Sequence, residues 1–294
     1  MDLRVFQWIL KDASFIFADM FLLPPVPSID ATDREGDGHP PVSASDNNGE
    51  APSIMIIEVA EDSATLEVLL RMYYPLPPLL TFADFDVAKP VLIASEKYQL
   101  KDVMPKIINA FLPHIRANPL RAYALAVRYN MHDLVRVAAR AFLAAQDTAV
   151  YSEELEEISA GAYVCLMQYR TACQNAVDAL FHVPWESETH NWCWHSCRNC
   201  VSHSCGVQRS KACRCGTAPW FTAYWNTARD LIKITPASEA IEDPNLIEVD
   251  ELYECVTCRS LQSHKQRQQY TQLLVAEVER RIADVSQGPL RGWS

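Results

Sequence analysis

Apolar residues recur at helical spacing along most of this chain, and the stretch from Ile54 to Leu112 carries the densest pattern. Ile54, Met55, Ile56, Ile57 and Val59 form a β-branched run that predicts one strand. Asp62 or Ser63 then stands where a helix cap is needed, with Glu61, Asp62 and Glu67 near the positive helix end. Leu66, Leu69, Leu70 and Tyr73 make that helix's buried stripe, and Pro75, Pro77 and Pro78 end it. Asp84 opens a further helix carrying Val87, Val91, Ala94 and Tyr98. The pattern continues through Leu100, Val103, Ile107, Ile108 and Phe111 to Pro113.

Upstream, residues 3–23 read as helical. Ser14 is placed to cap the second half, because Phe17, Met20 and Phe21 share one face, and Pro24, Pro25 and Pro27 stop the segment. No hydrophobic period survives in residues 28–53, which read as a solvated loop; Ser43 and Ser45 as kinase targets are the alternative. Downstream, Pro119 suits a first helical turn before Leu120, Tyr123, Ala124, Val127 and Tyr129. Leu134, Val135, Ala138, Ala139, Phe142 and Leu143 give the next stripe. Leu155, Ile158, Tyr163, Leu166, Tyr169, Val177 and Leu180 give two more. Glu153, Glu154, Glu156 and Glu157 are placed at a helix start, where the macrodipole favours them. Short turns between these segments suggest stacked helical pairs.

At about Phe181 the composition changes to a stretch rich in Cys, His and Trp and poor in aliphatics. A helix follows from about Trp220 to Ile234, with Phe221, Tyr224, Trp225, Ala228 and Leu231 inward. A last amphipathic helix carries Tyr270, Leu273, Leu274, Val278 and Ile282.

Composition narrows the function classes. Apolar residues make up 49% and charged residues 21% of 294, which suits globular units and not general disorder. A net charge of −11 repels phosphate backbones, so a general nucleic-acid role is disfavoured. Only eight glycines are present, which works against phosphate-cradling loops. The N-terminus has no signal-type apolar run, and no segment has the ~18 apolar residues of a membrane span. The expectation is an intracellular protein, cytoplasmic or nuclear, with reduced thiols and no membrane partner.

Eight of the ten cysteines lie beyond residue 190, so their explanation is local. Cys197-x2-Cys200 and Cys255-x2-Cys258 are the telling spacings, because two such turns complete a tetrahedral zinc shell. The set expected to hold a structural zinc is Cys197, Cys200, Cys255 and Cys258, with the 220–234 helix as an insertion between the pairs. Another shell uses Cys205, Cys213 or Cys215 with the first pair, and His195 or His203 in place of one sulfur. Reduced cysteines without metal, or a redox disulfide, remain open.

Three sets of residues resemble the BTB/POZ domain. Phe17, Asp19, Met20 and Phe21 match its Phe-x-Asp-Met-Phe-like helix end. Asp62, Leu66, Leu69, Leu70 and Tyr74 match the helix after its strand, and Ala94, Lys97, Tyr98 and Leu100 match its Ala-x-x-Lys-Tyr-x-Leu segment. The whole chain looks like BTB-domain proteins of mushroom-forming fungi, over roughly residues 5 to 285. The resemblance implies an α+β, predominantly helical, BTB/POZ-like fold over 1–115, lacking the family's two opening strands. A helical extension over 116–182 and a Cys-rich, zinc-braced helical region over 183–294 follow. The shorter N-terminus removes elements that in the family help form the sheet and the dimer contact, which argues against homodimerisation.

That resemblance implies a non-enzymatic protein–protein interaction module that recruits or scaffolds protein partners. Some members are substrate adaptors of cullin-type ubiquitin ligases; here YYPLPPLLTF lacks the acidic-after-hydrophobic contact motif. No Gly-x-Ser-x-Gly, Walker A, dinucleotide loop or His-Glu-x-x-His occurs, so no catalytic residue is expected. The sharpest enzymatic alternative is a thiol at Cys193 or Cys197 with His195. A zinc-dependent nucleic-acid-binding regulator is the other alternative. It would use Arg198, Arg209, Lys211 and Arg214 with Trp192 and Trp194.

Overall fold

Ser14 divides the first helical stretch in two. In the computed structural model, which describes residues 3–23, 56–74, 81–182, 192–197, 199–200, 217–247, 255–258 and 260–287, α1 (Gln7–Ala13) ends at Ser14. There α2 (Phe15–Met20) begins, with the Ser14 hydroxyl accepting from the Phe17 N–H. The described residues are predominantly helical and include no strand. Residues 56–59, the described part of the expected strand, take no regular structure, and Ile56 is 84% exposed. A β-branched run becomes a strand only when another strand pairs its backbone, and the described residues provide none. The strand half of the α+β expectation is therefore not met there. Ile54, Met55, the 28–53 loop and Pro75, Pro77 and Pro78 lie outside the described residues.

The chain divides into two compact units, 1–112 and 113–294. The extension over 116–182 and the Cys-rich region from 183 belong to the same unit.

In the first unit, Asp62 caps α3 (Ser63–Arg71) by accepting from the Thr65 N–H at 2.7 Å. Asp84 caps α4 (Phe85–Lys97) through the Val87 N–H at 2.9 Å. Phe85, Ala88, Val91, Leu92 and Ser95 form the buried face of α4, whereas Val87, expected inside, is exposed. Val87 lies in the first turn, one turn before the buried Val91, at the margin of that face. α5 (Met104–Ala117) runs through Pro113, where the pattern was expected to stop. A proline forfeits one helical N–H bond, yet the fully buried Ile115 lies beyond it and keeps that turn helical.

Tyr98 is the hub of this unit. Its side chain is buried, and the Phe17 ring stacks on it with centroids 4.4 Å apart. The Ser14 hydroxyl donates to its carbonyl at 2.5 Å, and its own hydroxyl donates to Glu61. Lys97 reaches the same carboxylate at 2.6 Å. One tyrosine thus joins α2, the chain entering α3 and the end of α4.

In the second unit, α6 (Pro119–Arg128) begins with proline at its first turn and packs on α7 (His132–Phe142). Asn130, between them, has φ 54°, a left-handed conformation that asparagine accepts better than most residues. The acidic residues Glu153–Glu157 form a 3-10 turn, not an α-helix start. Glu154 is buried and pairs with Arg121 at 2.9 Å, so its role is an ion pair.

Next, α8 (Ala160–Asp178) packs against two later helices, α10 (Pro219–Ile234) and α11 (Leu261–Gln287). Arg170 explains how α8 holds its neighbours. Its guanidinium donates to the carbonyls of Phe142, Leu143, Ala145 and Ile234 at 2.6–3.2 Å. They lie at or just beyond the ends of α7 and α10, where backbone carbonyls run short of helical partners. Arg140 pairs with Glu279, and Tyr169 shares a 3.1 Å hydrogen bond with Ser286, tying α7 and α8 to α11.

The Tyr98 hub makes the first unit acid-sensitive. Burial pushes the Glu61 carboxyl up, but the hydrogen bonds from Lys97 and Tyr98 outweigh it and hold the group below its ordinary 4.5. The stabilisation is therefore complete above pH 4.5 and lost as pH falls through the lower folded value. In denaturant titrations across that range, Glu61→Gln should be less stable than wild type at neutral pH. It should also show a smaller fall on acidification.

Candidate metal centre

Two Cys-x-x-Cys turns meet in the second unit. The first follows α9 (Cys193–Ser196), a single turn that ends at Cys197. The second, Cys255 to Cys258, leads into α11. The Sγ atoms of Cys197, Cys200, Cys255 and Cys258 all lie within 4.8 Å of one another. Cys197 and Cys255 are 3.6 Å apart, and Cys200 and Cys258 are 3.4 Å apart. Four sulfurs at ~2.3 Å from a central ion have edges of about 3.8 Å, so a small cation fits among them with little adjustment. These four cysteines can hold a metal ion, and they are the set expected from the spacing.

The surroundings hold the turns in register. The Asn199 amide donates to the Thr257 hydroxyl at 2.9 Å, joining the middles of the two turns. Buried Arg267 donates to the Cys258 carbonyl at 2.7 Å, and the Ser263 hydroxyl donates to the Thr257 carbonyl at 3.1 Å. Both reach back from α11. The Gln266 side chain accepts from the Cys193 N–H at 2.9 Å, and the Ala218 N–H donates to the Trp194 carbonyl at 2.8 Å. Hence α9 is fastened to both α10 and α11.

Beside the turns lies an aromatic layer. Trp194 is 0% exposed and stacks on Phe221 at 4.7 Å and on Trp192 at 4.9 Å. Tyr270 and Trp220 meet it edge-on at 5.2 and 5.7 Å. Edge and stacked geometries of this kind suit the ring quadrupoles.

Electrostatics give the chemistry. Burial pushes Cys197 up, but the backbone N–H groups of Asn199 and Cys200 and the neighbouring thiols outweigh it and bring it to about 7. Cys258 is pushed up to about 12, first by burial, and burial and the neighbouring thiols also raise Cys200. One proton leaves easily, and each further thiolate would face the first. A divalent cation supplies the positive charge that ionises the remaining sulfurs.

Other candidates fall elsewhere. His195 is exposed, with its ring 6.2 Å from Trp194 and 6.1 Å from Phe221, and is not among the four ligands. Burial raises the Cys193 thiol, the opposite of what an activated nucleophile needs. Cys205, Cys213, Cys215, His203, Arg198, Arg209, Lys211 and Arg214 lie outside the described residues. The pattern reading overlooked Arg267, Asn199 and Thr257. Asn199 and Thr257 lie inside the Cys-x-x-Cys pairs, a position that periodicity does not register, and Arg267 lies nine residues after Cys258, with no local signal.

A separate cavity of about 500 Å³ lies in the same unit, lined by Arg116, Asn118, Arg121, Asp147, Ser152 and Glu154 among others. Its charges are of both signs, and Arg121 is engaged by Glu154. No helix among the described residues is long and apolar enough to cross a membrane. Comparison with family models, curated proteins and solved structures finds no match for this chain.

Because Trp194 is fully buried between α10 and α11 residues, truncating it opens a cavity at the metal centre. Trp194→Ala should cost about 3–5 kcal/mol in chemical denaturation.

Proposed function

We propose that this chain is a non-enzymatic protein–protein interaction module of BTB/POZ type, with a zinc ion bracing its second unit. The observation that carries the metal half is the convergence of four sulfurs, two from each Cys-x-x-Cys turn, within 4.8 Å. All-thiolate sites of this spacing suit zinc, which takes four tetrahedral sulfurs and closes its shell without leaving a position for substrate. Zinc here is structural: it fastens the end of α9 to the start of α11.

The interaction half rests on the first unit. Residues that carry the family resemblance meet at one place, with Phe17 stacked on Tyr98 and Asp62 capping α3. In the same unit Trp8, Phe15, Leu22 and Leu23 stand exposed, Trp8 at 68%. Several large apolar side chains left exposed on one short helical stretch favour a surface that takes a protein partner.

Metal analysis of the purified full chain should give one zinc per chain, falling sharply in a Cys255→Ser, Cys258→Ser double variant. Protein that carries no metal when purified under reducing conditions refutes the zinc reading, and iron would replace it. For the interaction half, tagged chain purified from cell extract should retain the same proteins reproducibly, and Trp8→Asp with Phe15→Asp should lose them. Retention unchanged in that variant, or no reproducible partner, removes this reading. A cullin among the retained proteins would identify the module as a ligase adaptor.

A further inference from the structure

The sulfur pairs that touch at 3.6 and 3.4 Å run across the two turns: Cys197 faces Cys255, and Cys200 faces Cys258. We propose that the four-cysteine centre is also a thiol-oxidation site, at which a hydroperoxide replaces the metal by two disulfides between the turns, Cys197–Cys255 and Cys200–Cys258. The displaced metal in this inference rests on the zinc reading; the pairing rests on the sulfur positions alone.

Three features favour it. The facing sulfurs are already at van der Waals contact, so each bond needs a shift of about 1.5 Å to reach disulfide length. The contacts that keep the turns in register come from the protein and not from a metal. These are Asn199 to Thr257, Arg267 to the Cys258 carbonyl, and Ser263 to the Thr257 carbonyl. Access is asymmetric: Cys200 is half-buried while Cys197, Cys255 and Cys258 are buried, so an oxidant meets Cys200 first.

The chemistry balances with hydrogen peroxide as the oxidant. The Cys200 thiol attacks one peroxide oxygen, the O–O bond breaks, and the departing hydroxide takes the thiol proton to become water. The Cys258 sulfur then attacks the resulting sulfenic sulfur, an S–S bond forms, and the second hydroxide leaves and is protonated. Each pair gives up two electrons and reduces one peroxide to two waters. With both pairs oxidised, no thiolate remains to hold the cation, and it departs. The outcome differs from ordinary loss of a zinc site. Disulfides within each turn would leave no bond through sulfur between the two turns, whereas disulfides between the turns keep the same two segments covalently joined.

The test uses the full chain, assayed for metal beforehand and then treated with hydrogen peroxide. Released zinc is read with a chromogenic chelator, free thiols are alkylated, and unreduced tryptic peptides are mapped by mass spectrometry. Trypsin cuts after Arg198, between Cys197 and Cys200, while Cys255 and Cys258 stay on one peptide. The expected product is therefore a three-peptide species in which the Cys197 and Cys200 peptides are both joined to the Cys255–Cys258 peptide. Its appearance should track zinc release, one ion for two disulfides. In Cys258→Ser only the Cys197–Cys255 adduct should form. A Cys197–Cys200 pair with a separate closed Cys255–Cys258 peptide overturns the inference. So does a disulfide to Cys193, or zinc release with sulfinic acids in place of disulfides. If the starting protein holds no zinc and peroxide still yields the three-peptide species, the oxidation site stands while the zinc reading fails.

Discussion

Four sulfur atoms drawn from turns 58 residues apart lie together beside a packed layer of aromatic rings, and that layer is the contact on which the centre depends. Trp194, Trp220, Phe221 and Tyr270 form that layer, and they come from α9, α10 and α11. Burying several large aromatic side chains is the strongest hydrophobic contribution available to a small set of residues. The order of dependence follows. Aromatic packing sets the three helices, polar contacts from α11 set the second turn, and the sulfurs are then presented to one point.

Elsewhere each unit relies on a single residue that answers several polar demands at once. Tyr98 receives a ring on its face, a serine on its carbonyl and a carboxylate at its hydroxyl. Arg170 satisfies four carbonyls from two helix ends. Buried polar groups are costly when unpaired, so such hubs restrict the packing more sharply than apolar contact can. Both sit mid-chain with partners far away in sequence.

This division of labour bears on function. The second unit is held from inside by the ring layer and by Arg170, with the four cysteine sulfurs gathered beside the rings. The first unit keeps its hub buried and leaves Trp8, Phe15, Leu22 and Leu23 outward. A metal clasp whose sulfurs also face each other in pairs would keep the rigid unit closed under either reducing or oxidising conditions.

Local chemistry was readable from the chain alone. Ser14, Asp62 and Asp84 could be identified as caps because capping depends on a side chain and the N–H groups two or three residues ahead. The metal set was readable because a Cys-x-x-Cys turn fixes its own geometry. Residues 56–59 take no strand among the described residues, because β-branching records a preference while a strand exists only when another chain segment pairs with it. Glu154 was misjudged for a similar reason: a run of acidic residues suggests a helix start, but its position was decided by Arg121, 33 residues away. The aromatic layer, the Arg170 clamp and the facing of Cys197 to Cys255 belong to the tertiary structure. Each depends on which distant segments meet, and no local spacing encodes that.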